Sequence, residues 1–355
     1  MTSNPLRSDK GIALILVISV IAALVVSGVM LNRQVRGMIV SSATQADHLK
    51  LSEMCRSGLE AAVLRLGAGK TEDVLGWILS EENRAELAED INNALAFSSD
   101  TLDVTVADER ALIQVNALID YPHRGQFNAE QRQLWERLLR ILKAQSPDGP
   151  EFTEAEIIDA LIDWLDAGDD DAITGLSGAE SDYYEGLPVP YSAANAPMQH
   201  IGELLLIKGM SPELYHGTPE LPGLARYVTA AGVFGKSAAG LRFDGKININ
   251  TAEATVIAAI LPLEYQSLAE AIVAYRQERI AEKDFETLKQ PAWYKNAPGC
   301  GNLELPPDLV TVYSNLFRVT MTAFSGNRRV HRTALVQCQR EDTPAAKRCE
   351  ILRYE

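Results

Sequence analysis

Residues 10–31 read Lys10-Gly11 and then Ile12–Leu31, IALILVISVIAALVVSGVML, a run of twenty apolar or small residues without a charge. At about 1.5 Å of rise per residue such a helix is about 30 Å long, the hydrocarbon thickness of a bilayer. The chain before it is short and polar, and the chain after it is long and mostly soluble in character. That layout describes a protein held by its N-terminal end, with its working parts beyond the membrane. A secretory signal would carry a shorter apolar core and then a small-residue cleavage site. Here Asn32-Arg33-Gln34-Val35-Arg36 continues without a break, and no proline interrupts Gly11 to Leu66. Leu49, Met54, Leu59, Ala62, Val63 and Leu66 fall mostly at three- and four-residue steps, the period of one apolar helix face. One helix of about fifty residues is therefore predicted, half in lipid and half packed on a soluble domain. Arg7 and Lys10 precede the span and Arg33 and Arg36 follow it, so flanking charge barely sets its orientation.

The bulk composition narrows the function classes. A chain of 355 residues is long enough for two folded units with their own cores. A net charge of −15 argues against binding a phosphate backbone, which needs clustered Lys and Arg, and suits a cation such as calcium that takes carboxylate oxygens. The four cysteines, Cys55, Cys300, Cys338 and Cys349, form no CxxC, which argues against a zinc knuckle. Cys338 and Cys349 are close enough in sequence to pair in an oxidising compartment, with buried free thiols as the alternative.

Beyond the long helix, Lys70–Phe97 is polar and helix-prone. Thr101–Val106 and Ala111–Leu118 alternate apolar and polar about a turn at Ala107–Arg110, which predicts a β-hairpin. From Asp120 to about Ala239 the period turns helical. Asn128 N-caps a helix to Leu142, and Thr153 with Glu156 forms a capping box for Thr153–Leu165. Gln199–Lys208 and Ser211–Tyr215 are shorter helices, so an all-helical unit is inserted between strands. Lys246–Asn250 begins the return, followed by a Thr251-capped helix to Leu261 and a helical cluster over Ser267–Glu278 and Phe285–Leu288. Leu316–Phe324 and Arg329–Gln339, joined at Ser325-Gly326-Asn327, make a C-terminal hairpin whose Val319, Met321 and Ala323 face one side. The two hairpins would share one sheet.

The most chemical stretch is Asp159–Tyr184, DALIDWLDAGDDDAITGLSGAESDYY, which crowds carboxylates about a Gly-containing turn. Like charges held close repel, and a divalent cation relieves them; a solvated acidic loop is the alternative. The EF-hand spacing is absent.

A polar leader ending in Lys-Gly before a continuous apolar helix resembles the prepilin class of N-termini. In that class a prepilin peptidase cuts after the glycine, here Gly11, leaving Ile12 as the first mature residue. Most pilins carry Glu at the fifth mature position, where this chain has Leu16. That departure is shared by the type II secretion protein K minor pseudopilins. Similar to that family, too, are Asp108-Glu109 leading into Val115-Asn116-Ala117-Leu118, the block Asp163-Trp164-Leu165-Asp166, then Gly178-Ala179-Glu180, Tyr183-Tyr184, Pro190-Tyr191, Ala194-Asn195 and Lys208-Gly209. The resemblance implies calcium in the acidic loop, with Asp166, Asp169, Asp171, Glu180 and Asp182 as ligands; Ser181 stands where members often have an acid.

The resemblance also implies an α+β fold. A pilin-like long N-terminal helix packs on an antiparallel sheet, with a large inserted all-helical domain of SAM-like or helix-hairpin-helix-like type. The expected divisions are a leader at 1–11, a transmembrane helix at 12–32 and a pilin-like first part at 33–119. The inserted domain follows at 120–240, a second helical cluster at 241–300 and the C-terminal hairpin at 301–355. By the same implication the protein is a tip subunit of a type II secretion pseudopilus. Its partners are minor pseudopilins I and J, prepilin peptidase, the inner-membrane secretion platform and membrane lipid. It crosses the inner membrane once, with its C-terminal domain in the periplasm.

Two other classes compete. Lys246–Leu288 looks like the helix-hairpin-helix module of membrane-anchored DNA-uptake receptors, but Leu261-Pro262-Leu263-Glu264-Tyr265-Gln266 lacks the glycines that meet phosphate. No nucleic acid is expected. An enzyme is not expected either: His48, His123, His200, His216 and His331 show no HExxH spacing, and no GxSxG elbow is present.

Overall fold

The apolar run and its continuation form a single helix, α1 (Lys10–Ala68). The computed structural model describes residues 10–97, 100–120, 126–145, 151–168, 178–219, 222–232, 235–237, 240–339 and 348–355. Along α1 the large apolar side chains from Ile12 to Val40 are exposed, whereas Leu51, Met54, Cys55, Leu59, Ala62 and Leu66 are buried. The helix is thus uncovered along its first half and packed along its second. Its second half uses the three- and four-residue stripe to cover a sheet.

Two helices double back from its end, α2 (Thr71–Leu79) and α3 (Glu81–Leu95). The Asp73 carboxylate accepts the Lys70 N–H at 2.9 Å, and the Ser80 hydroxyl accepts the Asn83 N–H at 3.4 Å, so each start has its side-chain acceptor. Next come β1 (Thr101–Asp108), β2 (Ile113–Gln114), α4 (Ala129–Gln145), α5 (Glu154–Leu165), α6 (Ser181–Glu185) and α7 (Pro212–His216). Short strands β3 (Val228–Thr229), β4 (Gly235–Ser237), β5 (Gly240–Arg242) and β6 (Ile247–Asn248) lead to α8 (Ala254–Ile260), α9 (Ala269–Ala281) and α10 (Phe285–Leu288). The chain closes with β7 (Val310–Thr311), β8 (Leu316–Ser325), β9 (Arg328–Gln339) and β10 (Arg348–Tyr354).

The main sheet is antiparallel with order β1-β8-β9-β10. Leu102, Val104 and Val106 of β1 and Val319, Met321 and Ala323 of β8 point to one side, where α1 lies. The approach is close at Gly58, where a Cβ would stand 2.1 Å from Leu102 Cδ2. Gly326, at φ 55°, makes the turn between β8 and β9. The free edge of β1 is met by a side chain of α3: Asn92 Nδ2 donates to Leu102 O at 2.6 Å, and Asn92 Oδ1 accepts the Leu102 N–H at 2.9 Å.

Among the described residues two hydrophobic cores result. One joins the second half of α1 and α3 to the sheet. The other runs from Ile113 to Leu305, so the helices before and after residue 240 share one interior. Fully buried Trp135, Leu134, Leu138 and Leu139 of α4 lie in it, each aliphatic side chain worth about 1.5–3 kcal/mol of burial.

Several expectations change. The N-terminal hairpin does not form: β1 pairs with β8, Glu109–Ala111 and Val115–Leu118 are 3-10 turns, and β2 runs parallel to β3. Ile113, Val115 and Leu118 are buried in the helical core rather than along a strand of the main sheet. The segment predicted as all-helical carries β3, β4 and the start of β5. Thr153 is the N-cap of α5 but accepts no side-chain cap bond. Thr251 does not cap α8, whose N-cap is Glu253; its hydroxyl is drawn 2.6 Å from buried Asp108 Oδ2. Cys338 and Cys349 are joined as a disulfide, across the β9–β10 pair. Strand β10 itself, charged and mostly exposed, carries no apolar alternation to predict it.

Candidate functional site

Helix α5 is buried on nearly every side, and its C-terminal turn delivers two acids three residues apart, Asp163 inside the helix and Asp166 at its C-cap. Spacing of three places both on one face. Glu180, the residue before α6, comes back against them. One oxygen from each of Asp163, Asp166 and Glu180 lies within 4.8 Å of the others, and all three residues are buried. The backbone helps to set the rotamers. Asp163 Oδ2 accepts the Ala179 N–H at 2.7 Å, and Asp166 Oδ1 accepts the Gly168 N–H at 3.2 Å.

Aromatic packing holds the frame. Trp164 meets Tyr184 edge-on at 5.3 Å and Tyr191 at 6.3 Å, and Tyr184 stacks on Tyr191 at 5.3 Å. Tyr191 Oη donates to Leu206 O at 2.7 Å, and burial pushes the Tyr184 hydroxyl well above its ordinary range. Lys208 Nζ donates to Gly178 O at 3.0 Å and stands 5.0 Å from the centre of the Tyr183 ring. These contacts explain the order Trp164, Gly178-Ala179-Glu180, Tyr183-Tyr184, Tyr191 and Lys208 along the chain.

Of the sequence-predicted ligands, Asp166 and Glu180 meet. Asp182 is exposed, its Oδ1 accepting the Tyr183 N–H, and it stands apart from the trio. Asp169 and Asp171 lie outside the described residues. The third member is Asp163, which sequence reasoning placed in the acidic crowd without choosing it as a ligand; its spacing from Asp166 at the end of an apolar helix was the available signal. Asp159, from the same stretch, is bound instead by Arg132 at 2.7 Å. Gly11 and Ile12 lie in the first turns of α1, with Ile12 exposed.

The donor set fits a hard divalent cation: three carboxylates converge, buried, with oxygen ligands alone, as calcium prefers over zinc. Carboxylates brought this close repel one another when ionised, and a divalent cation between them would relieve that repulsion.

A second set of buried acids sits where β1 leaves the sheet for the helical side. Asp108 Oδ2 accepts from Asn248 Nδ2 at 2.7 Å and Thr251 Oγ1 at 2.6 Å, and Oδ1 accepts the Arg110 N–H at 2.8 Å. Burial pushes the Asp108 carboxyl up against these bonds. Glu109 bonds Arg318 Nε and Thr229 Oγ1, each at 2.5 Å, and Arg110 pairs with Asp244 at 2.7 Å. Nearby, Asn116 Nδ2 donates to Met198 O and Ala230 O while its Oδ1 accepts the Met198 N–H. The stretch Asp108–Leu118 is thus the polar joint between the two cores.

Residues 111–231, which carry the acidic trio and the Asn116 end of the joint but begin after Asp108, Glu109 and Arg110, match the family model for the type II secretion system (T2SS), protein K. A curated protein named Type II secretion system protein K, from Klebsiella pneumoniae, is 26% identical over 354 residues, covering 93% of each chain. A second of that name, from Pectobacterium carotovorum subsp. carotovorum, is 29% identical over 271 residues and 72% of each chain. Among solved structures, a chain of the GspK-GspI-GspJ complex from the enterotoxigenic Escherichia coli type 2 secretion system matches with a TM-score of 0.56 at 17% identity. That match covers 88% of this chain and 98% of that one, a likeness of fold.

Proposed function

We infer that this chain, a member of the type II secretion system protein K family and so a minor pseudopilin of type II secretion, works at the tip of a short pseudopilus. The observation that carries the reading is the likeness to protein K along 93% of both chains, together with a long apolar helix built onto an antiparallel sheet. Helices of this kind stack side by side in a filament. The second core, spanning Ile113 to Leu305, adds a large body beside the helix that would obstruct a subunit stacking above it, and this supports a position at an end. Leu16 agrees with that place, since a carboxylate at the fifth mature position serves to meet the N-terminal amine of the subunit above, and a tip subunit has none.

Its partners in this reading are minor pseudopilins I and J, as in the complex whose chain it resembles in fold. Prepilin peptidase cleaves after Gly11, α1 anchors the protein in the inner membrane with lipid about Ile12–Leu31, and the secretion platform takes it up from there. The rest lies in the periplasm, where the Cys338–Cys349 disulfide is at home. Asp163, Asp166 and Glu180 hold one calcium ion, which fastens the end of α5 to the start of α6.

Co-expression of the full chain with the I and J proteins of the same genome tests the partnership. A complex that co-purifies through α1 and runs as one species supports it, and separate elution of the three sinks it. Mass spectrometry of the protein from cells with a working prepilin peptidase tests processing: a mature chain starting at Ile12 is expected, and an intact Met1 start refutes cleavage. Calorimetry of the detergent-solubilised chain tests calcium, with no heat above buffer as the contrary result.

A further inference from the structure

The last residues of the chain tie the two cores together. Strand β10 forms one edge of the sheet, joined to β9 by the Cys338–Cys349 disulfide and by a ladder that pairs Arg353 with Leu335 and Tyr354 with Ala334. Glu355 extends the ladder: its N–H donates to Thr333 O at 2.8 Å, and its carbonyl accepts the Thr333 N–H at 2.9 Å. Ile351, Leu352 and Tyr354 are each more than 40% exposed, so burial alone holds this strand weakly.

At its far end two side chains reach from the sheet to the helical side. Arg353 Nη2 donates to Gln199 O at 3.1 Å, and Glu355 Oε1 lies 3.5 Å from His200 Nε2. Gln199 and His200 enter the 3-10 turn Ile201–Leu206, which is fastened into the other core. Glu203 accepts the N–H groups of Gln199 and His200 at 2.8 and 2.9 Å and faces Trp164 Nε1 at 3.5 Å. One strand therefore grips both bodies, by a covalent bond on the sheet side and a guanidinium on the helical side.

We propose that β10 is a disulfide-locked strap that sets how the helical core sits on the sheet. Arg353 is the buckle. The disulfide keeps a poorly buried strand in register, so that the buckle stays opposite Gln199. Loss of either element frees the 3-10 turn while leaving β8 and β9 paired.

Hydrogen exchange on the full-length protein in detergent tests this, read at the protected amides of Glu203 and Ile207, which bond His200 O and Leu204 O. Arg353→Ala is expected to speed their exchange about tenfold, with the β8–β9 amides unchanged. C338S/C349S is expected to speed the β10 amides and those of Glu203 and Ile207 together. Wild-type exchange at Glu203 and Ile207 in Arg353→Ala overturns the proposal, and this variant decides even where the double variant misfolds. Wild-type exchange there in a folded C338S/C349S protein whose β10 has loosened overturns it as well.

Discussion

Asp108 and Glu109 at the joint are 4% and 2% exposed, and Asp163, Asp166 and Glu180 at the end of α5 are 1%, 3% and 7% exposed. Burial does not separate the two groups; what faces them does. At the joint each carboxylate is met by side-chain donors from across the fold: Asn248 and Thr251 for Asp108, Arg318 and Thr229 for Glu109. In the trio the carboxylates are turned toward one another, and main-chain N–H groups of Ala179 and Gly168 are among the donors that position them. The first arrangement sets each acid against side-chain donors, and the second brings an oxygen of each of three acids within 4.8 Å of the others. A buried acid is thus no guide to function until its neighbours' charges are known.

The largest expected effect is calcium itself. At a thousandfold excess over its dissociation constant a ligand bound only by the folded state adds about 4 kcal/mol. The wild-type melting temperature should rise with calcium and fall with chelator, and Glu180→Ala should abolish that response. A Glu180→Ala protein that still responds in full would erase the distinction between the two groups.

Glu109→Ala comes next. It leaves the Thr229 hydroxyl and the partly exposed Arg318 guanidinium without their acceptor, and should cost about 3 kcal/mol in urea unfolding, equally with and without calcium. A calcium-dependent loss would mean the joint and the trio are coupled. Thr251→Val removes one of the donors to Asp108 and should cost about 1–2 kcal/mol, again whatever the calcium level. The smallest effect has the opposite sign: in chelator, Asp166→Asn should raise stability by roughly 1 kcal/mol, because one of three mutually repelling charges is gone. If it lowers calcium-free stability instead, the trio is as well satisfied by protein as the joint.

The legible parts of the chain were those where one local rule governs. Ile12–Leu31 is apolar or small throughout, and Leu316–Gln339 alternates with a turn residue at Gly326, so α1, β8 and β9 follow from pattern alone. The joint was misread because Ile113 and Val115 are buried in the helical core rather than along one sheet face, and a two-residue period cannot tell these apart. Thr251 was misread for a related reason: its hydroxyl serves a buried acid 143 positions away, a partner no local capping rule can see. In the acidic stretch, composition pointed to the neighbourhood in which three buried carboxylates converge. The choice of Asp163 over Asp182 depends on which face of α5 meets the residue before α6, and that is tertiary information.

The Asn92 amide at the border of β1 has a consequence for how such a subunit can polymerise. By presenting a carbonyl and an N–H to Leu102, it occupies hydrogen-bonding positions that a foreign strand would otherwise take. The opposite border is irregular at Ile351–Arg353, where the register slips, and it carries Arg348, Glu350 and Arg353. Neither border is a good template for runaway strand addition. Contact between copies through strand edges is thereby disfavoured, whereas the apolar side chains of α1 from Ile12 to Val40 stand exposed for contact of another kind.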